Sequence, residues 1–432
     1  MVRTLVLIGF IGLLAACGKS PGSAPVRLQV FGDPLEIKAY QDLIEAYRAK
    51  HPAAKIELIA VGKQKDHMAK LATSFAAGDA PEIFILNFRR FGQFAAKGVL
   101  EPLGPAMQAR GLWNESEFYP QPVEAFQYDG VQQCLPQNAS SLVVYWNKKL
   151  FAQARLEAPK PDWTMRDLLT AAFKIQAFAR TQEGKGVYGL GLDPTLIRLA
   201  PFIWSFRGEL VNDLRQPTRI TLDGAAPLAL SFVKSLIQRY RVVPPLAAYK
   251  AETHEARFVR GGLGMLLDSR RLTTTLRAHR ELDWDVAPFP RLGAPVSVLH
   301  ADGYCMAKST RDPTAATDFI AFALGEEAQA LLTKNGRLVP SRISVAQSPA
   351  FLDPTQPPAS AQVFLDAIPQ LRRTPNIAEW HEIETKADTL LEEWFYESRP
   401  QAGESEGAFA EMAFIVRLRE ALQPVLDRSR KK

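Results

Sequence analysis

Several stretches of the 432-residue chain carry residues whose type and spacing invite chemistry, and most fail on their surroundings. Gly18-Lys19-Ser20-Pro21-Gly22 has the spacing of a nucleophile elbow, which needs a strand before the serine. It lies instead in a Pro/Gly/Ser tether with no strand ahead of it. Gly184-Lys185-Gly186-Val187-Tyr188-Gly189 has the glycine spacing that cradles a dinucleotide. That turn must follow a strand and open a helix, and here a helix precedes and a strand follows. The histidines, His51, His67, His254, His279, His300 and His381, show no paired zinc-ligand spacing, so neither metal nor cofactor is expected. Aspartate and glutamate number 46, so a carboxylate pair for glycoside hydrolysis is available by chance and carries no signal.

The amino-terminal cysteine is different. Met1-Val2-Arg3 is a short basic start, and Thr4 to Ala16 then run without a charge. That run is too short to span about 30 Å of hydrocarbon, but it suits the core of a signal peptide. It ends Leu14-Ala15-Ala16-Cys17-Gly18, which resembles the bacterial lipobox, where a peptidase cuts before the cysteine and its thiol is acylated. Residues 1–16 are therefore expected to be a signal peptide, and 17–25 the lipidated Cys17 with a flexible tether. The acyl chains would hold the body at a membrane surface, lipid-anchored in the bacterial cell envelope on the periplasmic or outer cell-surface side. Outside the cytoplasm disulfides persist, so Cys134 and Cys305 can pair or stay buried and free.

Composition sets the frame for the rest. A 47% apolar and 23% charged chain of this length is an ordinary globular protein of two or three units, which excludes disorder and a disulfide-stapled miniprotein. The net charge of +6 is a small difference between 52 basic and 46 acidic residues, and becomes +5 once the leader is removed. No block of five like charges occurs, so nucleic acid is not an expected partner.

The elements that would position a site alternate along the chain. Val26–Phe31 reads as a strand, followed by Asp33 as N-cap, Pro34 at the first helical position and a helix carrying Tyr40, Leu43, Ile44 and Tyr47. Ile56–Val61 is a second strand, and Met68, Leu71 and Phe75 mark a second helix. The continuous apolar run Ile83–Leu86 predicts a strand covered on both faces. Strand–helix–strand–helix–strand argues an α/β fold with parallel strands. The grammar resumes with strands at Leu142–Trp146, Val187–Leu192, Trp284–Phe289 and Gly303–Ala307. Helices are predicted at Met165–Arg180, Pro227–Tyr240, after Asp312-Pro313, and from Ile383 onward.

Four segments together resemble the family 1 extracellular solute-binding proteins, the maltodextrin-binding-like receptors of ABC importers. They are Ala39–His51 through Leu71–Leu86 (ending GDAPEIFIL), Gly98–Leu103, Leu135-Pro136 through Leu142–Phe151 (LVVYWNKKLF), and Gly261–Leu267 through WDVAPFP and Asp302-Gly303-Tyr304 to the helix after Pro313. The resemblance covers nearly the whole mature chain. It implies an α/β, two-lobed periplasmic-binding-protein fold of class II type, with a cleft and a multi-strand hinge between the lobes. Lobe 1 is expected at 26–137 plus 285–325, and lobe 2 at 138–284 plus 326–432. The implied partners are the transmembrane permease subunits of an ABC importer and a small carbohydrate or related solute, bound by a monomer.

By correspondence, the ligand contacts fall on Phe31 and Asp33 after the first strand, and on Asn87, Arg89 and Arg90 after the third. Asn138 and Ser140 follow at the crossing, Trp204 and Arg207 in the second lobe, and Asp302 and Tyr304 on the return. Sugars need aromatic faces for their C–H surfaces and planar polar groups for their hydroxyls. Trp204, Phe31 and Tyr304 suit the first need, and Asp33, Asn87, Asn138 and Asp302 the second. Asp33 serves equally as a helix N-cap. The sequence departs from the sugar-binding pattern in its arginines, Arg89-Arg90, Arg207 and Arg270-Arg271, with His300 nearby. Arginine forks match carboxylates and phosphates, so an anionic solute such as an acidic sugar or glycerol phosphate is an alternative. A secreted hydrolase or lyase is the competing class, and would need two carboxylates facing the cleft. The resemblance implies a receptor without catalysis. Cys134 and Cys305 are expected on neighbouring strands of the first lobe near the hinge, where a bridge needs Cα atoms within about 7 Å.

Overall fold

The computed structural model describes residues 24–181, 186–334, 336–397 and 408–429. The signal-peptide and Cys17 expectations, and the loop around Pro400 to Gly407, lie outside the described residues.

Two sheets organise two lobes. The first runs in the order Ile56–Val61, Val26–Phe31, Ile83–Asn87, Asp302–Ala307, Leu100–Glu101, with Leu135–Pro136 also paired to Asp302–Ala307. Its first three strands are parallel, and the late strand returns antiparallel, setting Asp302 opposite Asn87. Ile83–Asn87 is buried along its whole length. Successive side chains in a strand point to opposite faces. Ile83 and Ile85 therefore join one core cluster, and Phe84 and Leu86 the other. Helix Pro34–Lys50 covers the first of these faces with Ala39, Tyr40, Leu43, Ile44 and Tyr47. Its start is fixed by Asp33, whose carboxylate accepts the N–H groups of Leu35 and Glu36 at 2.9 and 3.0 Å. Such a cap contributes about 1 kcal/mol.

The second sheet runs Trp284–Ala287, Val143–Asn147, Leu263–Asp268, Tyr188–Gly191. Val143–Asn147 repeats the two-faced burial: Val144 and Trp146 point into one core, Val143 and Tyr145 into the other. Helix Met165–Phe178 opens on a capping box between Thr164 and Asp167, and helices Trp380–Glu392 and Ala408–Arg428 complete the larger core.

The lobe boundaries differ from expectation in two places. Asp285–Ala287 pair with Val143–Asn147 and so belong to the second sheet; the first sheet is rejoined only at Asp302. Helix Glu326–Thr333, expected in the second lobe, packs on helix Pro34–Lys50 through Ala328 and Leu332, with a Lys50–Glu327 ion pair outside. Its apolar face completes the first core, which pattern counting along one segment does not reveal. The second lobe resumes at Val339.

Three segments therefore pass between the lobes, and they lie side by side. Ser140 N–H donates to the His300 carbonyl at 2.7 Å, and the Ser140 carbonyl accepts from His300 N–H at 2.9 Å. Ala139 N–H donates to the Val339 carbonyl at 2.9 Å, and Asn138 bridges to Pro340. Just inside the first lobe, Cys134 and Cys305 form a disulfide with Cα atoms 4.5 Å apart, both fully buried.

Candidate functional site

The three parallel strands of the first sheet end toward the hinge, and the residues after them line a cavity of about 530 Å3 between the lobes. Crevices beyond the carboxyl ends of parallel strands are the usual ligand sites of open α/β sheets, and this volume lies within the range of small-molecule pockets. Phe31, Gly32 and Asp33 follow the first strand, Gly62 and Gln64 the second, Asn87 and Arg89 the third. Asn138, Ser140, His300, Asp302, Leu338 and Val339 form the floor at the hinge. Ile197, Arg198, Glu255, Ser269, Arg271 and Thr275 supply the opposite wall.

The floor is a fixed hydrogen-bond lattice. Asp302 accepts from Asn87 Nδ2 at 3.0 Å through one oxygen and from Asn138 Nδ2 at 3.3 Å through the other. The Asn138 side-chain oxygen Oδ1 accepts the Asp302 N–H at 2.9 Å. These amides and the carboxylate are thus held planar at the cleft floor, and less rotamer freedom is lost when a ligand meets them. Beside them Asp33, besides capping its helix, accepts Arg337 Nη1 at 3.0 Å. Arg337 Nε also meets Glu36 at 2.8 Å. Burial pushes the Glu36 carboxyl up to about 8 despite Arg337, with Asp302 and Asp33 adding repulsion. A Cβ on Gly32 would sit 1.9 Å from a Glu36 oxygen, so a larger residue there would have to displace the Glu36 carboxyl from Arg337.

The cleft arginines are engaged by carboxylates. Arg89 meets Glu384 of the second lobe at 3.0 Å, and Trp380 Nε1 donates to the other Glu384 oxygen at 3.0 Å. Arg198 meets Asp268 at 3.1 Å and Asp193 at 3.4 Å. Arg271 meets Glu255 at 3.2 Å and Asp268 at 3.3 Å. Enclosure, reinforced by Arg89 and Arg198, pushes the His300 imidazole down to about 3, so it is neutral at physiological pH. Its Nε2 is shut off from solvent without a hydrogen-bond partner.

Of the residues expected to touch ligand, the cavity gathers Phe31, Asp33, Asn87, Arg89, Asn138, Ser140 and Asp302. Five others lie elsewhere. Trp204 is only 6% exposed, inside helix Leu196–Ser205, which is apolar almost all round and belongs to the second core. Its ring carries the Arg372 guanidinium at 4.7 Å. Tyr304 is fully buried in the first core, where the strand register sets it opposite Ile85. Arg270 points inward, stacked between Phe351 and Phe364 at 4.6 and 4.9 Å, while its neighbour Arg271 faces the cleft. Arg90 turns behind the wall to within 3.7 Å of Glu384. Arg207 sits beyond the helix end at φ 62, outside the cavity lining.

Gln64, Arg198, Glu255, Thr275 and Arg337 line the cavity without having been expected. Arg198 left a readable signal, since it is the single charge in the apolar helix LIRLAPFIWS. Arg337 left none, because it enters through a crossing segment distant in sequence.

The description "bacterial extracellular solute-binding protein" fits a family model over residues 42–359. A binding protein of Brucella abortus is 25% identical over 383 residues, 86% of this chain and 90% of that protein. Among solved structures, an ABC substrate-binding protein from Listeria monocytogenes in complex with cycloalternan superposes with a TM-score of 0.79 at 24% identity, covering 94% of this chain and 98% of that one. UgpB from Mycobacterium tuberculosis, in complex with glycerophosphocholine, superposes with a TM-score of 0.78 at 20% identity, covering 94% of this chain and 99% of that one. The matched span takes in most of both sheets, the hinge and the cleft floor, and this chain belongs to the bacterial extracellular solute-binding protein family.

Proposed function

We propose that the chain is the solute receptor of an ABC importer: it captures a hydroxyl-rich solute, a sugar or sugar derivative, in the interlobe cleft and delivers it to permease subunits. The observation that carries this reading is the Asn87–Asp302–Asn138 lattice, a preset row of planar donors and acceptors at the floor of a solute-sized cavity. Phe31 is the aromatic ring at its edge. The relatives whose structures carry cycloalternan and glycerophosphocholine bind hydroxyl-bearing solutes, which supports the same class here.

Capture rather than turnover is favoured because the cleft carboxylates are committed. Asp33 caps a helix and holds Arg337, Asp302 holds two asparagines, and Glu255 holds Arg271 and Thr275. An anchor at Cys17 would keep the receptor at the envelope beside its permease.

A thermal-shift screen of the soluble body from Val26 against sugars, sugar acids and polyols tests this, followed by calorimetry of the hits. A ligand at 100 times its Kd should add about 2.7 kcal/mol to stability. A panel in which no solute raises the melting temperature, or a hit that is converted to product, would overturn the proposal.

A further inference from the structure

Charge around the cleft is arranged unlike that of an oxyanion site. On the second-lobe wall two guanidinium groups, Arg198 and Arg271, face three carboxylates, Asp193, Asp268 and Glu255. On the first-lobe side and its seam Arg89, Arg90 and Arg337 face Asp33, Asp302, Glu384 and Asp388. Glu36 and His300 add little net charge near neutral pH. On the second-lobe wall the paired carboxylates thus outnumber the guanidinium groups by one.

Both arginines of this wall are held by shared acceptors. Arg198 gives Nη1 to the Leu267 carbonyl at 2.5 Å and Nη2 to Asp268 at 3.1 Å, and turns Nε toward Asp193. Arg271 divides Nη2 between Glu255 and Asp268. The group common to both is Asp268, buried at the end of strand Leu263–Asp268, with Ser269 N–H on its carboxylate at 2.7 Å. Burial raises the Asp268 carboxyl, but Arg198 and Arg271 outweigh it, and the group stays below its ordinary value and ionised.

We propose that Asp268 sets the charge selectivity of the cleft: by holding Arg198 and Arg271 together it turns a ready oxyanion clamp into a wall that takes neutral polyhydroxylated solutes and refuses their phosphate or carboxylate counterparts. The proposal rests on the solute-receptor reading above and narrows its substrate class. Asp268 acts through the two arginines and is a positioning residue. An arginine fork grips a phosphate bidentately only when its donors are available, and a like charge placed beside an anion repels it.

Calorimetry on the soluble body tests this with paired probes: neutral mono- and disaccharides, the phosphate ester and uronic acid of each, and glycerol phosphate. The unaltered chain should prefer the neutral member by at least about tenfold, with an affinity that stays flat from about 50 to 500 mM salt. Asp268→Asn, checked for folding by near-UV circular dichroism, should gain at least about tenfold for the phosphate esters, and the gain should fade with salt. Asp268→Glu should restore the preference for neutral solutes. If Asp268→Asn does not fold, Glu255→Gln, which removes one carboxylate from Arg271, should move the ratio in the same direction by about threefold. Anions binding the unaltered chain as tightly as neutral solutes would overturn the proposal and leave the receptor reading standing. A folded Asp268→Asn chain without the gain would do the same. Binding of neither probe class would end the receptor reading, and this proposal with it.

Discussion

Replacing Cys134 and Cys305 together by alanine removes the bridge that closes a sequence separation of 171 residues. In the chain-entropy account a loop of that length loosens the unfolded chain enough to cost about 5 kcal/mol, and natural disulfides commonly contribute 2–4. At about 2–4 °C per kcal/mol for lobes of this size, the double variant should melt some 5–15 °C lower. The mechanism leaves a second trace. If the bridge acts on the unfolded state, its loss lets that state expand, and the urea m-value should rise as the midpoint falls. If the loss were only of packing between two buried sulfurs, the midpoint would fall with m unchanged. Urea and thermal unfolding of the soluble body, followed by circular dichroism, read both quantities. A drop below about 2 °C with an unaltered m-value would refute the reasoning.

Further expectations follow from the same contacts. Glu36 is pushed up to about 8 from an ordinary 4.5, so the folded chain holds a proton that the unfolded chain releases. Its contribution is complete below pH 4.5 and is lost as pH rises through 8, at about 1.4 kcal/mol per unit between. Glu36→Gln should flatten that decline, and urea midpoints as steep in pH as the parent's would contradict it. Trp204→Ala should cost about 3–5 kcal/mol as a core truncation while leaving solute affinity within about twofold at low temperature, measured by calorimetry. Arg270→Met should be neutral or stabilising in a chemical melt, because a buried guanidinium stacked on two rings gives way to an apolar side chain of similar length. A loss of about 3 kcal/mol or more would show instead that the stacking outweighs the desolvation.

The local grammar of the fold was legible because it is local. Asp33-Pro34 announced a helix start, and the unbroken run Ile83–Leu86 is covered on both faces as read. What failed depended on distance in sequence. Helix Glu326–Thr333 is ordinary in pattern, and only its complement on helix Pro34–Lys50 tells which lobe it joins. The site divides the same way. Residues at or just beyond strand ends, such as Asp33, Asn87 and Asn138, line the cavity because strand ends point at the cleft. Trp204 was misplaced because a tryptophan beside glycine and arginine reads as a loop, whereas its helix is buried on nearly every side. In the pair Arg270-Arg271 composition is identical and direction is not: one guanidinium enters the core, the other faces the cavity.

The three crossing segments have a mechanical consequence. Asn138, Ser140 and His300 lie on or beside the strands that join the lobes, so they stand next to any axis about which the lobes turn. Points near an axis barely travel, and points at the end of the lever arm travel far. Were the lobes to turn about it, the floor lattice would keep its geometry, while Gln64 on one wall and Glu255 and Thr275 on the other would sweep toward or away from each other. On the solute-receptor reading proposed above, the cleft would thus separate two tasks in space: a solute is read where little moves and held where most does.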